Sequence, residues 1–123
     1  MKALENQVAI VTGGAMGIGG ATSRNLAASG AKVLIADIAM DHAETNARTI
    51  RESGGTALAV QADVSTASGI QSMIDRAIEE WGRLDILVNN AFSPGAEGNQ
   101  MVLDTTEEQW DSGMALLVKA IFL

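Results

Sequence analysis

The 123-residue sequence contains no cysteine, no tyrosine, one proline and one histidine, and only 3% of its residues are aromatic. Without cysteine there is no disulfide and no thiolate nucleophile or ligand, so an oxidising compartment gains no support. Without tyrosine there is no phenolic general acid or base anywhere in these residues. The one histidine, His42, stands beside Asp41 near a helix start with nothing clustered around it. It reads as a solvated side chain rather than a base or a metal ligand, and no metal-ligand constellation is present. Basic residues are also scarce: eight Lys and Arg face fifteen Asp and Glu, for a formal net charge of -7. A chain of this sign repels phosphate backbones and anionic membranes, so neither nucleic acid nor membrane is a predicted partner. No apolar run approaches the roughly 20 residues that span a bilayer. The opening segment, MKALENQVAIV, lacks the apolar core and cleavage site of a secretory signal. A soluble, cytoplasmic chain is predicted.

What is present has a globular balance, with 47% hydrophobic and 19% charged residues. A single domain over 1–123 is predicted. Short apolar runs alternate with helical patterns along it. Val8 to Val11 is continuously apolar, as a strand buried on both faces should be. A glycine cluster follows, then a helix from about Ile18 to Ser29, with Gly30 where a left-handed helix stop belongs. Val33 to Ala36 is the second strand, ending at Asp37. Asp41 and Glu44 have capping-box spacing, and Ala43, Ala47 and Ile50 share one helix side before Gly54-Gly55 stop it. Ala57 to Asp63 reads as a third strand. Ser65 or Thr66 caps a helix whose apolar stripe is Ile70, Met73, Ile74, Ala77, Ile78 and Trp81, and Gly82 ends it. Leu84 to Asn89 is the fourth strand. A loop runs from Asn90 to about Thr105. Thr106 and Gln109 form a second capping box, opening a helix that runs to Leu123. Four strands alternating with four helices predict an α/β fold, a doubly wound parallel sheet of order 3-2-1-4 with helices on both faces.

The first strand–helix turn carries the chemistry. Gly13, Gly17 and Gly19 have the spacing G-x-x-x-G-x-G. Gly13 lets the chain leave the strand tightly, Gly17 lets the backbone approach a pyrophosphate, and Gly19 lets the helix pack close to the sheet. The helix N-terminus offers N–H groups and partial positive charge, so an acidic protein can still hold an anionic cofactor. Gly20 falls inside the helix and should cost about 1 kcal/mol against alanine. Glycine turns alone are weak signals, but Asp37 ends the next strand 18 positions after Gly19. That is close to the roughly 20 expected of an acid that binds the adenosine ribose. A carboxylate there accepts from ribose hydroxyls and repels a 2′-phosphate. Its neighbours Ala15, Met16 and Ile38 are not basic, so NAD is favoured over NADP.

The spacing T-G-x-x-x-G-x-G from Thr12 resembles the short-chain dehydrogenase/reductase family. So do Asp63-Val64 after the third strand, Leu84 to Ala91 with its Asn89-Asn90-Ala91 turn, and the helix from Trp110-Asp111 to Phe122-Leu123. The resemblance covers essentially the whole chain in order and spacing. It implies a Rossmann-like NAD-binding portion in which Thr12, Gly13, Met16, Gly17, Ile18 and Gly19 surround the phosphates. Asp37 and Ile38 would meet the adenosine ribose, Asp63 and Val64 the adenine, and Asn90 and Ala91 the nicotinamide ribose. The implied parent activity is hydride transfer between NAD and an alcohol or ketone.

The sequence departs from the family pattern at two places. Phe92 stands where a glycine usually follows Asn-Asn-Ala. Leu117 stands at the position of the family's active-site asparagine and cannot hydrogen-bond. The family's catalytic Ser, Tyr and Lys are absent: Lys119 has Ala115 four residues before it and reads as a solvated helix charge. Ser93 follows the Asn-Asn-Ala turn as a possible substrate contact, but is not the family serine. No catalytic residue is therefore assigned, and the chain is predicted inactive alone. The fourth strand is expected to form an apolar sheet edge where the family's sheet continues. With the apolar final helix, which in the family partly packs on a partner subunit, it predicts a homo-oligomer or self-association. The alternatives are a non-catalytic nucleotide-binding module and an inert fragment. A methyltransferase with a similar glycine turn and strand-end acid is disfavoured by the Asn-Asn-Ala strand and the glycine spacing.

Overall fold

A computed structural model describes residues 2–92 and 101–123. Four parallel strands form one sheet of order β3-β2-β1-β4, as predicted. The elements are β1 (Val8–Thr12), α1 (Gly17–Ala28), β2 (Lys32–Asp37), α2 (Met40–Glu52), β3 (Thr56–Gln61), α3 (Ala67–Trp81) and β4 (Ile86–Val88). A 3-10 turn at Val102–Asp104 precedes α4 (Glu107–Met114), which continues through a π-helical stretch, Ala115–Lys119, into α5 (Ala120–Phe122).

All five residues of β1 are buried, because alternate side chains serve opposite layers. Ala9 and Val11 join Val33, Ile35, Ala43, Ala47 and Ile50 in the layer that α1 and α2 cover. Val8 and Ile10 join Leu34, Ile70, Met73 and Ala77 beneath α3, with Leu116 and Ala120 packed against them. The alanines on α2 let that helix lie close to the sheet, and fully burying side chains such as Ile10, Leu34 and Ile35 contributes roughly 1.5–3 kcal/mol each. Of the α3 stripe, Ile70, Met73 and Ala77 are buried, Ile74 and Trp81 pack at the margin, and Ile78 faces outward.

The helix ends follow local chemistry. Gly30 and Gly82 both take positive φ just past their helices. The Thr66 hydroxyl accepts from the Gly69 N–H, and the Thr106–Gln109 capping box is complete in both directions. The Asp41–Glu44 box does not form. The helix starts at Met40, with Ala39 as its cap, so Asp41 already lies in the first turn. Asp37 instead accepts from the Ala39 N–H at 2.9 Å, and Glu44 pairs with Arg51. Two strands are shorter than predicted: β3 ends at Gln61 and β4 holds only three residues. β4 pairs with β1 alone and lies at the sheet edge, with Leu87 exposed. Ser93, and the stretch 93–100 of the loop read from Asn90 to Thr105, lie outside the described residues.

Candidate functional site

The chain leaves β1 for β2 on one side and returns to β4 on the other. The C-terminal ends of β1 and β4 therefore flank a topological switch point, where open α/β sheets place their ligands. The glycine turn, Asp37 and the Asn-Asn-Ala turn all converge on this end of the sheet.

Three glycines of the turn meet different demands. Gly13 has φ +63°, and a Cβ there would sit 3.0 Å from the Ala91 Cα. Gly17 has φ +59° with nothing within 4 Å of a would-be Cβ, so its backbone borders open space, as a close approach of phosphate needs. At Gly19 an added Cβ would overlap the Gly13 carbonyl and the Asn90 amide. The spacing predicts helix–sheet packing at Gly19; the closest contact is instead with the turn itself and with Asn90. The α1 cap residue, Met16, supplies no side-chain acceptor to the first-turn N–H groups. Met16, Ile18 and Ile38 are exposed apolar side chains around this mouth.

Asp37 is half-buried at the end of β2. Its Oδ2 accepts from the Ala15 N–H at 3.2 Å and its Oδ1 from the Ala39 N–H at 2.9 Å. Two backbone donors thus orient the carboxylate and leave it further lone pairs for a ligand hydroxyl. Asp63 is exposed. Its Oδ1 accepts from the Ser65 hydroxyl at 2.6 Å and the Ser65 N–H at 2.9 Å, and these bonds hold its carboxyl below the ordinary carboxylate pKa. Val64 is buried beside it under α3.

Thr12 and Asn90 clamp β1 to β4. The buried Thr12 hydroxyl donates to the Val88 carbonyl at 3.3 Å and accepts from the Asn90 and Ala91 N–H groups, each at 3.0 Å. The Asn90 Nδ2 donates to the Thr12 and Gly13 carbonyls at 3.2 Å. Thr12 has both roles of its hydroxyl committed to protein, so it braces the turn. Asn89 is exposed and Ala91 half-buried. A cleft of about 170 Å³ lies between the Asn-Asn-Ala turn and the last helical stretch, with Phe92 and Leu117 among its lining residues. Both departures from the family pattern therefore face one cleft.

Sequence reasoning missed Gly14, Asn46 and Arg24. A Cβ on Gly14 would come within 2.8 Å of the Val11 carbonyl and 2.9 Å of the Ser23 hydroxyl. Asn46 is buried in α2, where Nδ2 donates to the Gly14 carbonyl at 2.9 Å and the Gly20 carbonyl at 3.3 Å, while Oδ1 accepts from Arg24 Nη1 at 3.0 Å. Gly20 lies at this close packing of α1, since a Cβ there would press 3.1 Å from the Ala15 carbonyl. His42 is exposed on α2. Among the described residues no three His, Asp or Glu side chains group as a metal site, and no helix is long and apolar enough to cross a membrane.

Comparison with known proteins matches this geometry. The short chain dehydrogenase family model covers residues 7–123. A cis-4-hydroxycyclohexanecarboxylate dehydrogenase from Sinomonas cyclohexanicum is 47% identical over 90 residues, which are 73% of this chain and 36% of that protein. A 3-oxoacyl-[acyl-carrier-protein] reductase from Synechocystis is 38% identical over 125 residues, covering 100% of this chain and 49% of its own length. A solved short-chain dehydrogenase/reductase from Serratia marcescens superposes with TM-score 0.87 at 36% identity, over 97% of this chain and 48% of that one. A metagenomic short-chain oxidoreductase in complex with NADP also gives TM-score 0.87, at 32% identity, over 97% of this chain and 53% of its own. The chain thus spans half or less of the two curated relatives and about half of the two solved structures. It belongs to the short-chain dehydrogenase/reductase family.

Proposed function

We propose that residues 1–123 are a single NAD-binding domain, the cofactor-binding portion of an oxidoreductase that transfers hydride between NAD and an alcohol or ketone. The observation that carries this reading is the Asp37 carboxylate, held by the Ala15 and Ala39 N–H groups at the edge of the glycine turn. The residues present fit a dinucleotide. Open space at Gly17 and the uncapped start of α1 suit the pyrophosphate. Gly13 and Gly19 allow the tight turn that Thr12 and Asn90 clamp, and Met16 and Ile18 flank it. Asp37 and Ile38 would take the adenosine ribose, Asp63 and Val64 the adenine, and Asn90 and Ala91 the nicotinamide ribose.

Preference for NAD over NADP rests on Asp37, whose negative charge opposes a 2′-phosphate, and on exposed Met16 and Ile38 where a basic side chain would be needed. The NADP complex belongs to the metagenomic relative. The nicotinamide supplies a hydride acceptor or donor when bound. These 123 residues contain no tyrosine to move the accompanying proton, and Leu117 offers no hydrogen bond at the cleft. The chain alone therefore binds cofactor without turnover. Cytoplasmic location and self-association through β4 and the final helix belong to the same reading.

Calorimetric titration with NADH, NADPH and S-adenosylmethionine tests it. The expected result is saturable NADH binding that exceeds the other two and falls about tenfold or more in Asp37→Ala, the worth of a hydrogen bond to a charged group. Equal affinity of wild type and Asp37→Ala for NADH would reject the assignment.

A further inference from the structure

We infer that Asn46, with Arg24 behind it, is a positioning residue that aims the Asp37 carboxylate and so sets recognition of the adenosine 2′-hydroxyl. The assignment rests on the cofactor reading above and goes beyond it, because Asn46 lies in α2, outside every motif of the turn.

Asn46 is only 5% exposed, yet its amide has partners on both sides. Nδ2 donates to the Gly14 carbonyl at 2.9 Å and to the Gly20 carbonyl at 3.3 Å. Arg24 Nη1 donates to Oδ1 at 3.0 Å. A guanidinium can only donate and carbonyls can only accept, so this set of partners permits one orientation of the amide. The Gly14 carbonyl also accepts from the Ser23 hydroxyl, at 3.3 Å, but that hydroxyl bonds more closely to the Gly19 carbonyl, at 2.9 Å. Asn46 is thus the nearer anchor of Gly14.

The consequence passes through one peptide bond. The Gly14–Ala15 peptide is planar and trans, so its C=O and N–H point in opposite directions. Holding the Gly14 carbonyl toward α2 turns the Ala15 N–H the other way, onto Asp37 Oδ2 at 3.2 Å. The Ala39 N–H fixes the other oxygen. Without Asn46 the Gly14 carbonyl loses its nearer donor, the peptide is freer to rotate beside two glycines, and Asp37 loses its link to the turn. A polar side chain that only filled space in α2 would have no such reach to the ribose.

The test compares NADH with its analogue lacking the adenosine 2′-hydroxyl, titrated into the full chain and its variants. Wild type is expected to prefer NADH by about tenfold, the worth of one charge-assisted hydrogen bond. Asn46→Leu is expected to bring that preference down to within about twofold, mainly by weakening NADH. Arg24→Met should give an intermediate preference. Arg24 is exposed, so this variant keeps the fold and carries the test if Asn46→Leu does not fold. In an Asp37→Ala background, Arg24→Met should change neither affinity. An unchanged preference in the folded variants, or equal weakening of both ligands, overturns the positioning role while leaving the cofactor reading intact. Failure of wild type to bind either ligand overturns the cofactor reading and this assignment with it.

Discussion

Gly17 and Gly19 are two residues apart and do unlike work. Gly17 borders open space in a left-handed conformation, whereas Gly19 is crowded by the Gly13 carbonyl and Asn90. Gly19→Ala should therefore destabilise the chain by roughly 1–3 kcal/mol, as overpacking does. Gly113, inside α4 with nothing within 4 Å of a would-be Cβ, should behave oppositely: Gly113→Ala is expected to stabilise by roughly 0.5–1 kcal/mol. Urea midpoints of the two variants against wild type check both signs. The glycines and Asp37 were legible in the sequence because their roles follow from short spacing along one strand–turn–helix–strand unit. Asn46 was not. It meets Gly14 across 32 positions, and nothing in the α2 pattern distinguishes it from a surface asparagine until the helix is docked.

At the level of elements, β4 is held to β1 by more than its three-residue ladder. The Asp85 N–H donates to the Val8 carbonyl at 2.9 Å, and Asp85 Oδ2 accepts from the Val8 N–H at 2.8 Å. Arg83 grips the same carboxylate with a bond at each oxygen, at 2.8 and 2.6 Å. The Arg83 bonds first, and then the Val8 N–H, hold the Asp85 carboxyl below its ordinary value of 3.8. A depressed folded pKa stabilises above the unfolded value and loses its contribution as pH falls through the folded one. Asp85→Asn should thus lower the urea midpoint by a constant amount between about pH 5 and 8, and the gap should narrow below about pH 4. A gap that widens in acid would contradict the assignment.

The order of the elements was legible from alternating apolar runs, but their ends were less so. β3 stops at Gln61, and the chain then turns through Asp63, Ser65 and Thr66 to cap α3. The first capping box failed because the helix already starts at Met40 with Ala39 as its cap, which puts Asp41 inside the first turn. The second formed because the helix starts one residue after Thr106, which leaves its hydroxyl at the cap to accept from the Gln109 N–H. The π-helical stretch at Ala115–Lys119 leaves no mark in a periodicity that reads equally well as α-helix.

Across the molecule, polar networks brace both ends of the β1–β4 pair, Asp85 with Val8 at one and Thr12 with Asn90 at the other, while among the described residues large exposed apolar side chains gather on the last helical stretch. Trp110, Val118, Ile121 and Phe122 are all exposed, Phe122 to 86%, and this stretch shares a cleft with the turn that follows β4. Apolar surface of this kind favours association. Sedimentation of the purified chain should show a weight-average mass that rises with concentration, and Val118→Glu with Phe122→Glu should return it toward the 12.8 kDa monomer. A strictly monomeric wild type would reject self-association without touching the proposed cofactor site around Gly17 and Asp37. The most direct test of the central claim is a fluorescence titration of NADH into the folded 123-residue chain. Saturable binding with one site per chain is the predicted result; a cooperatively folded chain that leaves NADH fluorescence unchanged at every concentration would contradict it.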